Sequence, residues 1–416
     1  VSERSTQQPS AAPTSGGEGA MRGPLDGVRV LEAGTLIAGP FCGQLLGDFG
    51  AEVIKIEDPV RGDPMRQWRT DDRGRSLWWP VIARNKRSVT CNLRDADGQA
   101  LVRELVARSD VLVENFRPGT LERWGLGFDE LQRINPRLVL VRVTGYGQSG
   151  PYAHRAGFGS VGEAMGGLRY VTGEPDRPPS RAGISIGDSL AGTFAALGAV
   201  MALFARQTTG RGQVVDSAIY EAVLAMMECL LPEWEVGGIR RERTGAVLPG
   251  IAPSNVYPSA EGADVLIAAN RDTVFERLCE AMGRPELATD PRFADHGARG
   301  EHAAELDAIV AGWSAGLPTD DLLRRLHDGG VPAGVAYTAE DVLADEHVAA
   351  RDAVVRLVHR QLGEFPVQNV VPKLSDTPGR VSRLGPELGE DNDEVFGRLL
   401  GIDAEELGRL RSRGVV

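Results

Sequence analysis

Asp188 stands in the segment I-S-I-G-D-S-L-A-G, where an extended stretch gives way to a helical pattern running from Ser189 to Arg206. Asp is a preferred N-cap residue, so a cap is the commoner use of such a position. A carboxylate at a helix N-terminus, beside the small residues Gly187 and Ser189, is also well placed to stay ionised and accessible. An ionised carboxylate can attack a thioester, giving a mixed anhydride and splitting one hard step into two. The tetrahedral intermediates would need backbone N–H donors, which glycine-bearing turns supply. Residue type alone leaves cap and nucleophile both open.

Rival chemistries leave little trace. There is no G-x-S-x-G elbow, no H-E-x-x-H, no Walker A pattern in the first turn, and no G-x-G-x-x-G between a strand and a helix. No metal site is expected. A second feature is a scatter of basic residues, Lys86, Arg87, Arg94, Arg117 and Arg123. Each alone reads as a solvated charge, but together they suit the phosphates of a nucleotide-like cofactor.

The elements that would position these groups alternate. Val28–Leu31 is an apolar run, Pro40–Asp48 has helical spacing with Pro40 in the first turn, and Glu52–Glu57 is a β-branched strand. Asp95–Ser109 is amphipathic, Asp110–Phe116 reads as a buried strand, and the helix Phe128–Ile134 leads to the strand Leu138–Val143. This predicts an α/β protein with a Rossmann-like parallel sheet, whose ligands bind beyond the carboxyl ends of the strands. Gly34–Pro40, Asn115–Gly119 and Thr144–Pro151 are then the site-lining segments. A short strand, Gln213–Val215, precedes a helix over Ser217–Leu231, and Gly237–Pro258 reads as a long crossing segment. A smaller α/β unit follows, with strands near Val265–Ala268 and Val331–Ala336, and Leu357–Pro366 looks like a hairpin. The division expected is a disordered tail over 1–22, a large domain over 23–232, a linker and small domain over 233–345, and a return to the large domain over 346–416.

The chain has 416 residues, 42% of them apolar, and a formal charge of −12. That charge disfavours nucleic acid and anionic lipid as partners. No uninterrupted apolar run approaches the roughly 18 residues of a membrane helix. Cys42, Cys91, Cys229 and Cys279 lack C-x-x-C spacing and read as free thiols in a reducing cytoplasm. The Ser/Gly/Pro-rich start has no apolar h-region and is not a secretory signal.

Linked segments then carry a resemblance: G-V-R-V-L-E-A-G-T-L-I-A-G-P, G-D-F-G-A-E-V-I-K-I-E, N-K-R-S-V-T-C-N-L, V-L-V-E-N-F-R-P-G, N-P-R-L-V-L-V-R-V-T-G-Y-G, G-D-S-L-A-G and T-G-R-G-Q-V-V-D. In this order and spacing, from about Pro24 to Val416, the chain resembles the family III CoA-transferases. The resemblance implies a large and a small domain in an interlocked, ring-like homodimer, with coenzyme A as part of substrate and product. It places the family's nucleophilic aspartate on Asp188. It places the CoA contacts on Ile37 and Ala38, on Cys91, Asn92, Leu93 and Arg94, on Asn115, Phe116 and Arg117, on Arg123, and on Ala156, Gly157, Phe158 and Gly159. The implied partners are an acyl-CoA donor and a small carboxylic acid.

Two departures bear on the substrate. Many members have Tyr-Asp or Tyr-Glu where this chain has Phe158-Gly159, and the glycine loop that covers oxalate has no counterpart between Gly245 and Asn255. The first removes an acidic contact and the second points away from oxalate. The tail segments N-V-V-P-K-L-S-D-T-P-G and L-G-P-E-L-G-E resemble members acting on C4–C5 dicarboxylates, which implies succinyl-CoA as donor and malate, citramalate, itaconate or mesaconate as acceptor. Arg169, Arg181 and Arg271 are candidate partners for a second carboxylate. The rivals are an α-methylacyl-CoA racemase and a non-catalytic CoA-binding paralogue. Related racemases have His where this chain has Phe158, which cannot move a proton, and Asp188 argues against a non-catalytic role.

Overall fold

Strands covered on both faces read as near-continuous apolar runs rather than as alternation. In the computed structural model, which describes residues 23–416, such runs form β1 (Arg29–Glu32), β2 (Glu52–Glu57), β4 (Val111–Glu114) and β5 (Val139–Thr144). With β3 (Lys86–Thr90) and β6 (Val214–Ala218) they make one six-stranded sheet in the order β3-β2-β1-β4-β5-β6. Every neighbouring pair is parallel, and Val53, Val30, Val111 and Val139 lie abreast. The order reverses between β1 and β4, which makes the carboxyl end of that pair the switch point. The tail expected over 1–22 lies outside the described residues.

The helix Ala96–Val106 shows how sequence becomes packing. Asp95 caps it by accepting from the Asp97 N–H at 2.9 Å. Its Leu101, Val102, Leu105 and Val106 bury against Leu31, Ile54, Leu112 and Leu140 of the sheet. Each such side chain contributes on the order of 1.5–3 kcal/mol, an upper figure for a compact unfolded chain. Val395, Phe396, Leu407 and Leu410, from far along the chain, complete the same core.

Two compact units result. One takes the chain up to Ala156, then Asp188–Ala218 and Val355–Val416; the other takes Gly157–Gly187 and Ile219–Val354. Compared with the expected boundaries, 157–187, 219–232 and 346–354 therefore fall in the second unit. That unit has a three-stranded antiparallel sheet of β7 (Ser254–Pro258), β8 (Asp264–Ala268) and β9 (Ala333–Val335). β7 occupies the end of the segment expected to cross, Gly237–Pro258. β10 (Val354–His359) and β11 (Gly363–Gln368) form a separate two-stranded sheet where a hairpin was expected.

Other differences have local causes. The long helix spans Ile186–Thr209 rather than starting at Ser189, because the buried Glu163 carboxylate accepts the Gly187 N–H at 3.3 Å and satisfies the first turn from outside. The helix expected over Ser217–Leu231 is delayed and broken. Ser217 and Ala218 pair with Val143 and Thr144 in the sheet, and Glu228, at φ 52°, interrupts the helical run before Leu230–Glu235. By length and composition the Ile186–Thr209 helix could cross a bilayer, with a mean hydropathy of 1.6. In the fold its small residues Ala191, Ala195, Ala199 and Ala202 are buried.

At the heart of the sheet a chain of charges is buried. Glu32 of β1 lies between Lys55 of β2, at 3.2 Å, and Lys86 of β3, at 2.7 Å, all three no more than 1% exposed. The helix Ala38–Asp48 passes directly over Glu32, and a Cβ on Gly43 would lie 1.8 Å from its Oε2. Gly43→Ala should therefore lower stability by about 1–2 kcal/mol, the helix-propensity gain being outweighed by overpacking against a pinned carboxylate. Chemical denaturation checks this, and a variant as stable as the parent would show that the carboxylate is not pinned.

Candidate active site

Three strands end at one crevice. β1 delivers Ala33 and Thr35, β2 delivers Asp58, and β3 delivers Cys91, Leu93 and Arg94. Phe116, following β4, and Trp124 close one side in an edge-to-face pair with centroids 5.2 Å apart. The crevice has a volume of about 390 Å³ and lies at the carboxyl ends of the strands, beside the switch point.

The turn after β1 has an unusual backbone. Leu36 has φ 65°, a left-handed conformation that costs a non-glycine residue roughly 1–2 kcal/mol. Side chains from elsewhere hold it. Asn115 accepts the Thr35 N–H and donates to the Thr35 carbonyl, both at 2.8 Å. Lys55 donates to the Gly34 carbonyl, and Asp63 accepts the Leu36 N–H at 3.1 Å. Burial alone would raise the Asp63 carboxyl, but the Lys55 ammonium at 2.7 Å and the N–H groups it receives hold it below the ordinary carboxylate range. Burial alone would lower Lys55, and Asp63, Glu32 and Glu57 together keep it above its ordinary value.

The proposed CoA contacts do not share one setting. Ile37 and Ala38 are buried where the turn enters the helix Ala38–Asp48, whose first N–H groups have no side-chain cap. Leu93, Arg94 and Phe116 line the crevice. Arg94 is largely exposed and only loosely paired, 3.7 Å from Asp58. Arg117 and Arg123 are exposed, Arg123 donating to the Thr120 hydroxyl at 3.0 Å. Other side chains are engaged within the protein. The Cys91 thiol, pushed up to about 12 by burial, faces the Gly98 carbonyl at 3.3 Å. Asn92 accepts the Arg94 N–H, and the Asn115 amide is committed to Thr35. Ala156 is exposed, whereas Gly157, Phe158 and Gly159 belong to the second unit. There Phe158, 67% exposed, precedes the helix Gly159–Met165.

Lys86 and Arg87 do not join the crevice. They open β3 and so stand towards its amino end: Lys86 is buried on Glu32, and Arg87 pairs with Glu52 and Glu394. A larger groove of about 670 Å³ lies at that opposite edge, but Glu52 and Glu394 already engage its Arg29 and Arg87. Arg61, Asp63 and Gln67 in the crevice were not singled out from sequence. The signal was available, since R-G-D-P-M-R-Q follows the strand E-V-I-K-I-E and the carboxyl-end rule applies to β2 as it does to β1.

Asp188 lies in the first turn of its helix and is half-buried. Its position inside that turn replaces the N-cap expectation, while the helix dipole still favours its ionised form. Gly192, one turn on and on the same face, packs so closely on the helix Ala38–Asp48 that a Cβ would lie 2.7 Å from the Ala38 carbonyl oxygen. Ser217 ties the same helix to β6 by donating to the Ala191 carbonyl at 3.0 Å. Asp188 is thereby held one helical turn from the contact with Ala38. Arg169 is committed to the buried Glu163 at 2.7 Å, Arg181 is exposed, and Arg271 precedes the helix Asp272–Ala281.

The sequence matches the profile of CoA-transferase family III over residues 25–392. It is 59% identical over 394 residues to the succinyl-CoA–D-citramalate CoA-transferase of Chloroflexus aurantiacus, covering 94% of this chain and 98% of that one. It is 44% identical over 397 residues to the beta subunit of that organism's succinyl-CoA–L-malate CoA-transferase, again covering 94% and 98%. The crystal structure of a CAIB/BAIF family protein from Brucella suis superimposes with a TM-score of 0.80 at 35% identity, over 91% of this chain and 100% of that one. The chain belongs to CoA-transferase family III and is a CoA-transferase.

Proposed function

We propose that the protein moves coenzyme A from succinyl-CoA to a C4–C5 dicarboxylic acid, with citramalate first among the acceptors, through covalent intermediates on Asp188. The observation that carries this reading is the placement of Asp188 in a helical first turn, packed one turn from Ala38, where β1 ends beside the crevice. Citramalate rests on the 59% identity to a relative of that name, with malate next.

The chemistry needs no proton transfer. A carboxylate oxygen of Asp188 attacks the thioester carbonyl, the C–S bond breaks, and CoA thiolate leaves a succinyl–aspartyl anhydride. The thiolate attacks the aspartyl carbonyl and expels succinate, leaving an aspartyl-CoA thioester. The acceptor carboxylate displaces thiolate from that thioester, and thiolate then attacks the acceptor's own carbonyl and frees Asp188. Each step passes through an oxyanion that backbone N–H groups can stabilise. A racemase would need a second proton-transfer group, which Phe158 cannot be.

The chain works as a homodimer, interlocked as its family resemblance implies. On the Ile186–Thr209 helix, Leu197, Val200, Met201 and Phe204 form an apolar stripe at i, i+3, i+4 and i+7, and Phe204 is 80% exposed. A second copy covers this stripe. Free thiols at Cys42, Cys91, Cys229 and Cys279 suit a reducing cytoplasm.

Asp188→Ala should cut transfer by about 10³-fold or more with an unchanged far-UV spectrum, and a rate above about a tenth of the parent's would remove Asp188 from the mechanism. Hydroxylamine added during turnover should convert Asp188 to a hydroxamate detectable by peptide mass, and no adduct under full turnover argues against an acyl-enzyme. In a screen of succinyl-CoA against malate, citramalate, itaconate, mesaconate, glutarate, oxalate and carnitine, citramalate should give the highest kcat/KM. Preference for a monocarboxylate or oxalate overturns the substrate assignment. Phe204→Glu should lower the recovery of dimer on refolding from denaturant, read by sedimentation, and recovery equal to the parent's would place the interface elsewhere.

A further inference from the structure

We propose that Asp63 is a positioning residue for coenzyme A: its buried carboxylate fixes the Thr35–Ile37 turn, whose Thr35 lines the crevice. The inference rests on the assignment of the crevice to CoA. Asp63 is 1% exposed and collects four interactions. It accepts the Leu36 N–H at 3.1 and 3.3 Å through its two oxygens, accepts the Met65 N–H at 2.9 Å, and pairs with Lys55 at 2.7 Å. Its own N–H is fixed by Glu57 at 2.9 Å. A carboxylate this constrained has little freedom to follow a moving turn.

The turn needs such a hold. The Gly34 carbonyl accepts from Lys55, the Thr35 backbone N–H and carbonyl both pair with the Asn115 amide, and the Leu36 N–H donates to Asp63. Leu36 keeps its left-handed φ of 65° because its surroundings over-determine it. Asp63 meets the N–H of the strained residue itself, so it is the clamp whose loss lets Leu36 relax. Relaxation would swing the peptides on either side of Leu36 and displace Thr35 from the crevice wall. The helix that carries Asp188 is also tied to β6 through Ser217, so ligand affinity should suffer more than chemistry.

Asp63→Asn keeps the size of the side chain but cannot serve the Leu36 N–H, the Met65 N–H and the Lys55 ammonium together. In the full-length protein, titration with free coenzyme A should show affinity reduced by about tenfold or more. At saturating acyl-CoA, kcat should stay within about threefold of the parent. Hydrogen exchange at the Leu36 amide should accelerate by about tenfold while Leu31 and Ile54 stay protected. CoA affinity within about twofold of the parent, an unchanged Leu36 exchange rate, or kcat falling in step with affinity would each overturn the proposal. If Asp63→Asn does not fold, Asp63→Glu, which keeps the charge for Lys55 but moves the oxygens by a methylene, is put to the same measurements with the same outcomes. Failure of the parent protein itself to bind coenzyme A overturns the CoA assignment of the crevice, and this inference with it. Binding by the parent with unaltered affinity in the variant overturns this inference alone.

Discussion

A carboxylate buried between two ammonium groups sets the geometry of the large unit. Glu32, Lys55 and Lys86 come from the three adjacent strands β1, β2 and β3, and none is more than 1% exposed. Removing such charges from water costs several kcal/mol per ion, and only close, well-directed partners offset it. The network is therefore weak as a source of stability and strong as a source of register. A slip of one residue in β2 would turn Lys55 to the other face and leave Glu32 with one partner. From Lys55 the network continues to Asp63 and the Gly34 carbonyl, so the strand register and the crevice turn are set by the same charges.

A second constraint comes from small residues. Gly192 and the alanines of the Ile186–Thr209 helix let its backbone approach the sheet and the first helix closely. Close approach leaves little room for the helix to slide or rotate, so its first turn is positioned by packing further along. Glu163, itself paired with Arg169, completes that turn at Gly187. The helix that carries Asp188 is thus positioned along its length by the packing of Gly192 and its buried alanines.

Much of this was legible from sequence. The runs of β1, β2, β4 and β5, the helices Ala38–Asp48 and Phe128–Ile134, and the parallel sheet follow from periodicity and alternation. β3 was not read as a strand, because K-R-S-V-T carries two charges whose burial depends on Glu32, a partner remote in sequence. For the same reason Lys86 looked like a phosphate ligand. Asp63 was passed over because its role depends on Leu36, and a left-handed leucine leaves no mark in composition. The start of the long helix was misplaced by a contact with Glu163, 24 residues upstream of Gly187. Local patterns gave the elements, and contacts distant in sequence decided what each charged residue does.

The large unit is drawn from three separate stretches, the last beginning at Val355, and its core takes in Val395, Phe396, Leu407 and Leu410. During synthesis, which proceeds from the amino end at about 5–20 residues per second, the sheet strands emerge well before the side chains that seal their core. The later-emerging second unit has its own apolar core, built from Val265, Phe275, Leu306 and Leu322 among others, all available before Val355 is made. The order of completion on the ribosome is thus the reverse of the order of initiation: the unit that starts first finishes last. Until then the apolar strands of the sheet lack part of their cover.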